Sequence, residues 1–324
     1  MHTFGNSFSL SLNDSSVNMA IRYDGRVAIV TGAGNGIGRA YALFLAARGA
    51  KVVVNDLGGA MDGGDGTGSS RPADNVVTEI KRMGGEATAN YDSVTDGERI
   101  VKTAVDAYGR IDILINNAGI LRDKSFHKMA DKDWELVQNV HVTGAYKTTR
   151  AAWPYMREQK YGRVVFITSS AGLFGNFGQA NYSAAKLAVV GLCNTLSKEG
   201  AKRNIFTNVI APFAGSRMTE TIMTPEMVAG LKPEFIAPFV GYLASEKCKE
   251  NGSIFETGGG WIGQVKYQRS AGVGFDLRKG LELEDIDAQW DNIKNFTGPT
   301  DYPKIAGDAF TFILKNLKQM GAKL

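Results

Sequence analysis

Three side chains in the second half of the sequence, Ser169, Tyr182 and Lys186, could together move a proton. The four-residue step from Tyr182 to Lys186 places both on one face of a helix, one turn apart. A phenol titrates near ~10, but a neighbouring ammonium lowers its pKa. Ser169 could hold an alcohol or carbonyl oxygen near the phenol while a hydride moves at the attached carbon. Alternatively, a strand end, a loop and an amphipathic helix carry these residue types for structural reasons alone.

An early glycine-rich segment has the order of elements that binds a dinucleotide. Residues 26–30 predict a buried strand, and apolar residues recur at helical spacing over residues 40–47. A second apolar run, residues 52–54, is followed by an acid, Asp56. Glycines let backbone N–H groups approach a pyrophosphate, and the following helix N-terminus favours its charge. The predicted cofactor-binding residues of this turn are Gly32, Asn35, Gly36, Ile37 and Gly38.

Asp56 indicates which dinucleotide to expect. Its carboxylate can accept hydrogen bonds from both hydroxyls of the adenosine ribose, and it would repel a 2′-phosphate. Neither neighbour, Asn55 or Leu57, is basic. The sequence therefore predicts NAD rather than NADP, with the alternative that Asp56 caps the next turn.

Two further predicted strand ends carry candidate cofactor contacts. Asp92 and Ser93 follow the third strand and could meet the adenine. Residues 116–119, Asn-Asn-Ala-Gly, follow the fourth strand, and Asn116, Ala118 and Gly119 are expected to approach the cofactor. Ligands of open α/β sheets bind at the carboxyl ends of the strands, where Ser169 would also lie.

The alternation of apolar runs with helical segments predicts an α/β fold, a Rossmann-like, doubly wound parallel sheet. A long helix is expected over residues 131–159, bent or interrupted near Gly144 and Pro154. A polar insertion is expected over residues 57–73, and a substrate-side lid with short helices over residues 216–233. The predicted strands cover residues 26–30, 52–54, 87–91, 111–115, 164–168, 205–210 and 252–256.

The chain is expected to divide into three parts. Residues 1–20 form a polar tail, residues 21–262 the dinucleotide-binding and catalytic domain, and residues 263–324 a helical appendage. The appendage would include an amphipathic helix over residues 308–320. Small residues on the Tyr182 helix suit close packing within the chain or against the same helix of a second subunit in a homodimer; they are Ala184, Ala185, Ala188 and Gly191.

Composition argues against several classes of protein. The 324 residues carry a net charge of +4 without a basic, aromatic-rich cluster, so no nucleic-acid partner is expected. No apolar run approaches the ~18 residues of a membrane span. Cys193 and Cys248 do not predict a disulfide framework, and the histidines show no metal-ligand spacing with them. The last three residues, Ala322–Leu324, are a close variant of the Ser-Lys-Leu peroxisomal address.

These motifs, in this order and spacing, resemble the short-chain dehydrogenase/reductase superfamily over roughly residues 25–260. The motifs that carry this resemblance are the Thr31–Gly38 turn, the Asn116–Gly119 segment, Ser169, and Tyr182 with Lys186. The resemblance implies that Tyr182 is the general acid/base and that Ser169 positions the substrate oxygen. It also implies that Lys186 lowers the pKa of Tyr182 and binds the nicotinamide ribose.

A narrower resemblance is to the (3R)-hydroxyacyl-CoA dehydrogenase unit of peroxisomal multifunctional enzymes type 2. It is carried by residues 54–59, 175–182, 214–219 and 259–263 and continues into the appendage. It implies NAD-dependent oxidation of a (3R)-hydroxyacyl-CoA to a 3-ketoacyl-CoA in peroxisomal β-oxidation. It also implies that an import receptor recognises the C-terminal tripeptide.

His141 departs from the superfamily pattern, because many members carry a catalytic Asn at this step. It is included among the candidate catalytic residues with its role open. It could hold water or backbone geometry behind Lys186, or it could simply pack.

Two other functions are compatible with these residues. One is a different short-chain dehydrogenase, either a steroid dehydrogenase or a 3-oxoacyl-carrier-protein reductase. The other is a scaffold that binds NAD without catalysing a reaction. The presence of Ser169, Tyr182 and Lys186 together argues against it.

Overall fold

A computed structural model of the chain describes residues 21–58, 71–215 and 224–321. The described residues up to Gln264 form one compact unit, and those from Val265 form a second. The predicted tail, most of the predicted insertion over residues 57–73, residues 216–223 of the predicted lid and the C-terminal tripeptide lie outside the described residues.

The first unit is built on an eight-stranded sheet of order β3-β2-β1-β4-β5-β6-β7-β8. Strands β1 to β7 pair in parallel, which confirms the predicted doubly wound α/β architecture. The central strands β1, β4 and β5 are buried along their whole length, as expected for strands covered on both faces. The strands are β1 Val27–Thr31, β2 Lys51–Asn55, β3 Glu86–Asn90, β4 Ile113–Asn116, β5 Gly162–Ile167, β6 Ile205–Phe213, β7 Ile254–Gly258 and β8 Trp261–Val265.

Helices cover both faces of this sheet. Helices α1, α2 and α9 pack together on one face, and α3, α5 and α7 pack together on the other. The helices of this unit are α1 Gly36–Ala47, α2 Pro72–Arg82, α3 Gly97–Tyr108, α4 Asp131–Gln138, α5 Gly144–Gln159, α6 Ser170–Phe174, α7 Ala180–Gly200, α8 Pro225–Gly230 and α9 Ala237–Ala244.

The predicted helix over residues 131–159 is divided differently from expectation. A π-helical turn, Asn139–Thr143, joins α4 to α5, so the interruption lies just before Gly144. The helix continues through Pro154, which lies inside α5, so it is not interrupted there. Such π-helical turns often occur at functional sites, and this one contains His141.

The sequence analysis missed β8. Only Gly259 and Gly260 separate β7 from β8, and a two-residue connection joins antiparallel strands. Both glycines have positive φ, 57° and 80°, as a type I′ hairpin turn requires. The sheet is therefore parallel with one antiparallel edge strand, and that strand runs across the predicted domain boundary at residues 262 and 263.

The second unit is small and irregular. Its short strands, β9 Arg269–Ser270 and β10 Thr300–Asp301, pair antiparallel, and Arg269 forms an ion pair with Asp301 at 2.7 Å. No described residue from 265 to 321 is buried. The helices are α10 Leu283–Ala288, α11 Trp290–Ile293 and α12 Phe310–Gln319, the last lying within the predicted amphipathic helix.

Candidate active site

The glycine-rich turn between β1 and α1 packs against the segment that follows β4. Gly32 has a φ of 62°, and a Cβ there would lie 2.8 Å from the Cα of Ala118. The Nδ2 of Asn117 donates to the carbonyl oxygens of Thr31 and Gly32 at 2.9 and 3.0 Å. Asn35, the N-cap residue of α1, makes no side-chain capping bond. The helix N-terminus therefore presents the kind of N–H groups that bind phosphates.

Asp56 joins this turn to the chain that follows β2. Its Oδ2 accepts from the backbone N–H of Gly34 and its Oδ1 from that of Gly58, both at 2.8 Å. The bond to Gly58 is the turn-capping contact considered as an alternative to ribose binding. The two roles are compatible, because each carboxylate oxygen has a second acceptor site.

Asp92 and Ser93 lie at the end of β3 and are bonded to nearby chain. The Oδ2 of Asp92 accepts from Asn90 at 2.8 Å, and its Oδ1 lies 3.1 Å from the Nε of Arg99. The Oγ of Ser93 accepts from the N–H of Thr95 at 3.3 Å and caps a short 3₁₀ turn. Both side chains thus help to shape the strand end where the adenine contact was predicted.

The segment Asn116–Gly119 is held by residues that sequence reasoning missed. The Oγ1 of Thr31 accepts from the N–H groups of Asn117 and Ala118, both at 3.0 Å. The Nδ2 of Asn116 donates to Thr149 at 2.9 Å, while its buried Oδ1 has no hydrogen-bond partner among the described residues. These partners come from β1 and α5, so spacing within the segment could not reveal them.

Ser169, Tyr182 and Lys186 lie around the end of β5. Ser169 follows the strand and caps α6, its Oγ accepting from the N–H of Ala171 at 3.2 Å. The Nζ of Lys186 lies 5.4 Å from the ring centroid of Tyr182 and donates to the carbonyl oxygen of Ile167 at 2.8 Å. The backbone oxygen of Lys186 accepts from Thr168 at 2.6 Å, so both ends of the lysine are fixed to one strand end.

The electrostatics of this group differ from expectation. Burial raises the pKa of Tyr182, and Asp123 acts in the same direction, whereas a hydrogen bond with Ser169 lowers it. Burial also lowers the pKa of Lys186 to about 7. The pKa of the phenol is therefore raised and not lowered as expected, because desolvation by burial outweighs the effect of Ser169.

His141 is buried beside Tyr182. The two rings meet edge to face, with centroids 5.3 Å apart and an interplanar angle of 87°. The Nε2 of His141 lies 2.8 Å from the carbonyl oxygen and 3.0 Å from the nitrogen of Ile120. Burial, followed by the charge of Lys186, lowers its pKa to about 3, so the imidazole is neutral.

The predicted site residues lie at the carboxyl ends of β3, β2, β1, β4 and β5, which are neighbours in that order, and on the elements packed beside them. Parallel strands bring these ends to one edge, where ligands of such sheets bind. In the described part of the chain, no group of three or more His, Cys, Asp or Glu side chains is placed to hold a metal ion. No helix of that part has the length and apolar character for crossing a membrane.

Comparison with known proteins identifies relatives for most of the chain. The family model described as short chain dehydrogenase matches residues 26–228. The peroxisomal multifunctional enzyme type 2 of Mus musculus is 55% identical over 86% of this chain and 38% of its own length. The structure of the full-length peroxisomal multifunctional enzyme type 2 of Drosophila melanogaster has a TM-score of 0.79 and 40% identity, over 93% of this chain and 51% of that one.

A third solved structure bears on the cofactor. A 7α-hydroxysteroid dehydrogenase complexed with NADH and a 7-oxo bile acid matches with a TM-score of 0.64 and 30% identity, covering 74% of this chain and 95% of that one. The multifunctional relatives are longer, and this chain spans less than two thirds of their length. The family and this neighbour together indicate that the chain uses a nicotinamide cofactor.

Proposed function

The chain belongs to the short-chain dehydrogenase family, and on that premise we propose that it oxidises (3R)-hydroxyacyl-CoA to 3-ketoacyl-CoA with NAD. The observation that carries the proposal is the grouping of Ser169, Tyr182 and Lys186 beside the glycine turn. The choice of substrate is supported by the 55% identity to a peroxisomal multifunctional enzyme type 2 over most of the chain.

The residues along the sheet edge fit a dinucleotide. The turn Gly32–Gly38 and the uncapped N-terminus of α1 would hold the pyrophosphate. Asp56 would accept from the adenosine ribose with its free acceptor sites, which favours NAD over a cofactor with a 2′-phosphate. Bound NAD supplies the hydride acceptor. Towards the adenine end the proposed contacts are Asp92 and Ser93, and towards the nicotinamide they are Asn116, Ala118, Gly119, Tyr182 and Lys186.

Tyr182 acts as the base in this proposal. Its oxygen takes the proton of the C3 hydroxyl as the C3–H bond breaks with its electron pair and a carbonyl forms. Ser169, whose hydroxyl acts to lower the pKa of the phenol, would hold the substrate oxygen in reach. The lysine favours the phenolate when it is charged, and a pKa of about 7 leaves part of the population charged at neutral pH.

The test is NADH formation from a panel of 3-hydroxyacyl-CoAs of both hands and several chain lengths. We expect turnover of the 3R isomers, a lower rate with NADP than with NAD, and lower rates on a hydroxysteroid and a carrier-linked substrate. Preference for either of the last two would replace the proposal with the corresponding member of the same family. NADH binding without turnover of any alcohol would support the scaffold alternative.

We also propose that the protein acts in the peroxisome. In this proposal an import receptor recognises the protein through Ala322–Leu324. Support comes from relatives named as peroxisomal enzymes and from the likeness of the tripeptide to a peroxisomal address. A fluorescent protein fused to the N-terminus should colocalise with peroxisomes, and deletion of the three residues should make the signal diffuse. Unchanged localisation after the deletion would contradict the role of the tripeptide.

A homodimer is the proposed assembly. On α7, Ala184, Ala188 and Gly191 are exposed next to Leu187, which is 45% exposed, whereas Ala185 is buried. Small exposed residues along one helix let a second helix approach closely. A twofold axis through this face would bring the same helices of two subunits together.

A further inference from the structure

The first turn of α7 carries Tyr182 and contains backbone groups that the helix itself cannot satisfy. The first four N–H groups of an α-helix have no acceptor within the helix. Gln179, the N-cap residue of α7, makes no side-chain capping bond. The N–H of Tyr182 donates instead to the Oδ1 of Asn181, at 2.7 Å. Asn181, the second residue of the helix, therefore caps the turn that holds the proposed base.

The amide of Asn181 also joins α7 to two other segments. Its Nδ2 donates to the carbonyl oxygen of Arg122 at 3.0 Å and to that of Asp133 at 3.3 Å. Arg122 lies in the chain after β4, and Asp133 lies in the first turn of α4. Because the nitrogen faces two acceptors and the oxygen faces a donor, one orientation of the amide satisfies all three contacts.

This amide is enclosed within the protein. Asn181 is 0% exposed, and both polar atoms of its side chain have partners. A buried polar atom that loses its partner is costly, so the contacts restrain one another. The main chain of Asn181 is held as well, since the Nε2 of Gln138 on α4 donates to its carbonyl oxygen at 2.9 Å. The first turn of α7 is thus fixed from α4 by both the side chain and the main chain of one residue.

Two more exposed bonds run beside the buried contact with Arg122. The N–H of Lys124 donates to the carbonyl oxygen of Gly178 at 2.8 Å. The Nε2 of Gln179 donates to the Oδ2 of Asp123, also at 2.8 Å. Three consecutive residues after β4 are therefore bonded to the chain that enters α7, and the buried member of this row is the one next to Tyr182.

Lys186, one turn further along α7, is anchored separately. Its Nζ donates to the carbonyl oxygen of Ile167 at 2.8 Å, and its own carbonyl oxygen accepts from Thr168 at 2.6 Å. Both partners belong to the end of β5. The lysine turn is thus held by the sheet, whereas the tyrosine turn is held by Asn181.

We propose that Asn181 is a positioning residue that fixes the first turn of α7, and with it the phenol of Tyr182, to the chain after β4 and to α4. The inference rests on the proposed function only in assigning the base role to Tyr182. Most proposed cofactor contacts lie on α1 and at the ends of β1 to β4, and Lys186 keeps its bonds to β5. Loss of the Asn181 amide should therefore reduce kcat more than it weakens cofactor binding.

Asn181→Leu tests this role, because leucine has a similar size and no polar atoms. We expect kcat to fall by roughly tenfold to a hundredfold, since small misplacements of reacting groups cost about this much. The NADH Kd should stay within about twofold. Hydrogen exchange at the Tyr182 amide should accelerate, because its acceptor is lost, and this readout needs no substrate.

Gln138→Met provides a milder second variant. Gln138 is only partly buried, and methionine removes its bond to the Asn181 carbonyl while leaving the Asn181 amide in place. The kcat should fall in the same direction but less than in Asn181→Leu, and exchange at Tyr182 should stay close to wild type. The matched control is Asn75→Leu, at an exposed asparagine near the start of α2, which should change neither quantity.

Wild-type kcat in a folded Asn181→Leu, or unchanged exchange at Tyr182, would overturn the inference. So would an NADH Kd that rises as much as kcat falls, because the substitution would then disturb the whole site. If Asn181→Leu does not fold, Gln138→Met decides, and wild-type kcat in that variant rejects the role. Failure of the proposed function is distinct: the wild-type protein would turn over no 3-hydroxyacyl-CoA, while exchange at Tyr182 would still report on Asn181.

Discussion

Tyr182→Phe removes the phenolic oxygen and leaves the ring that packs against His141. If the phenol is the base, turnover should fall by roughly 10²- to 10⁴-fold, the usual contribution of general-base catalysis. NAD affinity should change little, because phenylalanine keeps the ring and most of the proposed cofactor contacts lie on α1 and at the ends of β1 to β4. Steady-state NADH formation and calorimetric NAD binding measure the two effects. Tyr155→Phe, at a 39% exposed tyrosine, is the control; retained turnover in Tyr182→Phe would remove the assigned role.

The buried amine of Lys186 leads to a prediction about how the stability of the protein depends on pH. Burial lowers its pKa from 10.5 to about 7 in the folded protein. Between these two values the unfolded chain holds a proton that the folded chain has released, so stability rises with pH. One proton contributes at most about 1.4 kcal/mol per pH unit.

Urea unfolding at several pH values between 7 and 10 should therefore show a wild-type free energy of unfolding that increases with pH relative to Lys186→Met. Lys198→Met, at an exposed position of the same helix, should follow the wild-type slope. Parallel curves for wild type and Lys186→Met would mean that the amine is not desolvated as the structure indicates.

Single residues also show how far sequence reasoning reached. Motif spacing predicted that Asp56 follows a strand and that Tyr182 and Lys186 share one helix, and the structure has them there. It missed Thr31 and Thr149 as anchors of the Asn116–Gly119 segment, since those contacts depend on how distant strands and helices pack. It also misjudged the pKa of Tyr182, because the depth of burial is not visible in a local pattern.

The turn between β1 and α1 depends on a glycine that has no room for a side chain. A Cβ on Gly38 would overlap the backbone oxygen of Gly32 and lie 2.5 Å from the Nδ2 of Asn117. Gly38→Ala should therefore push the turn away from the segment after β4. We expect a loss of about 1–3 kcal/mol in stability, as in other overpacked sites, and weaker NADH binding.

Urea midpoints and NADH fluorescence titration measure these two quantities. The control is Gly298→Ala, because a Cβ at that position meets open space. Wild-type NADH affinity in Gly38→Ala would contradict the close packing of the turn against residues 116–119.

Helices and strands were predicted best where the apolar residues repeat with a single period. The buried strands and α1 agree with the expected ranges to within a few residues. An interruption of the helix near Gly144 was expected, and the π-helical turn lies directly before that residue, but its π-helical form was not predicted. Strand β8 was missed although its signal was present: two glycines between two strand-like runs predict a hairpin.

For the whole molecule, the sequence predicted a helix of the second unit but did not by itself predict the substrate. Its amphipathic helix was expected from spacing, and α12 exposes Phe310, Ile313 and Leu314. Substrate and compartment rest on similarity to longer relatives, since the fold supports many chemistries and does not choose among them. The sequence thus predicted the class of reaction from residues in the site, and the substrate only from family likeness.

At the scale of the whole molecule, the proposed dimer depends on the exposed face of α7. Ala188→Arg places a long, charged side chain where a second helix would have to approach, and an unpaired charge is costly to bury. We expect the variant to be monomeric by light scattering while it still binds NADH, because Ala188 is exposed whereas Lys186, a proposed cofactor contact on the same helix, is buried. Thr78→Arg, at an exposed position of α2 on the other face of the sheet, should remain dimeric. A monomeric wild type, or a dimeric Ala188→Arg, would exclude α7 as the subunit contact and leave its small residues to packing within the chain.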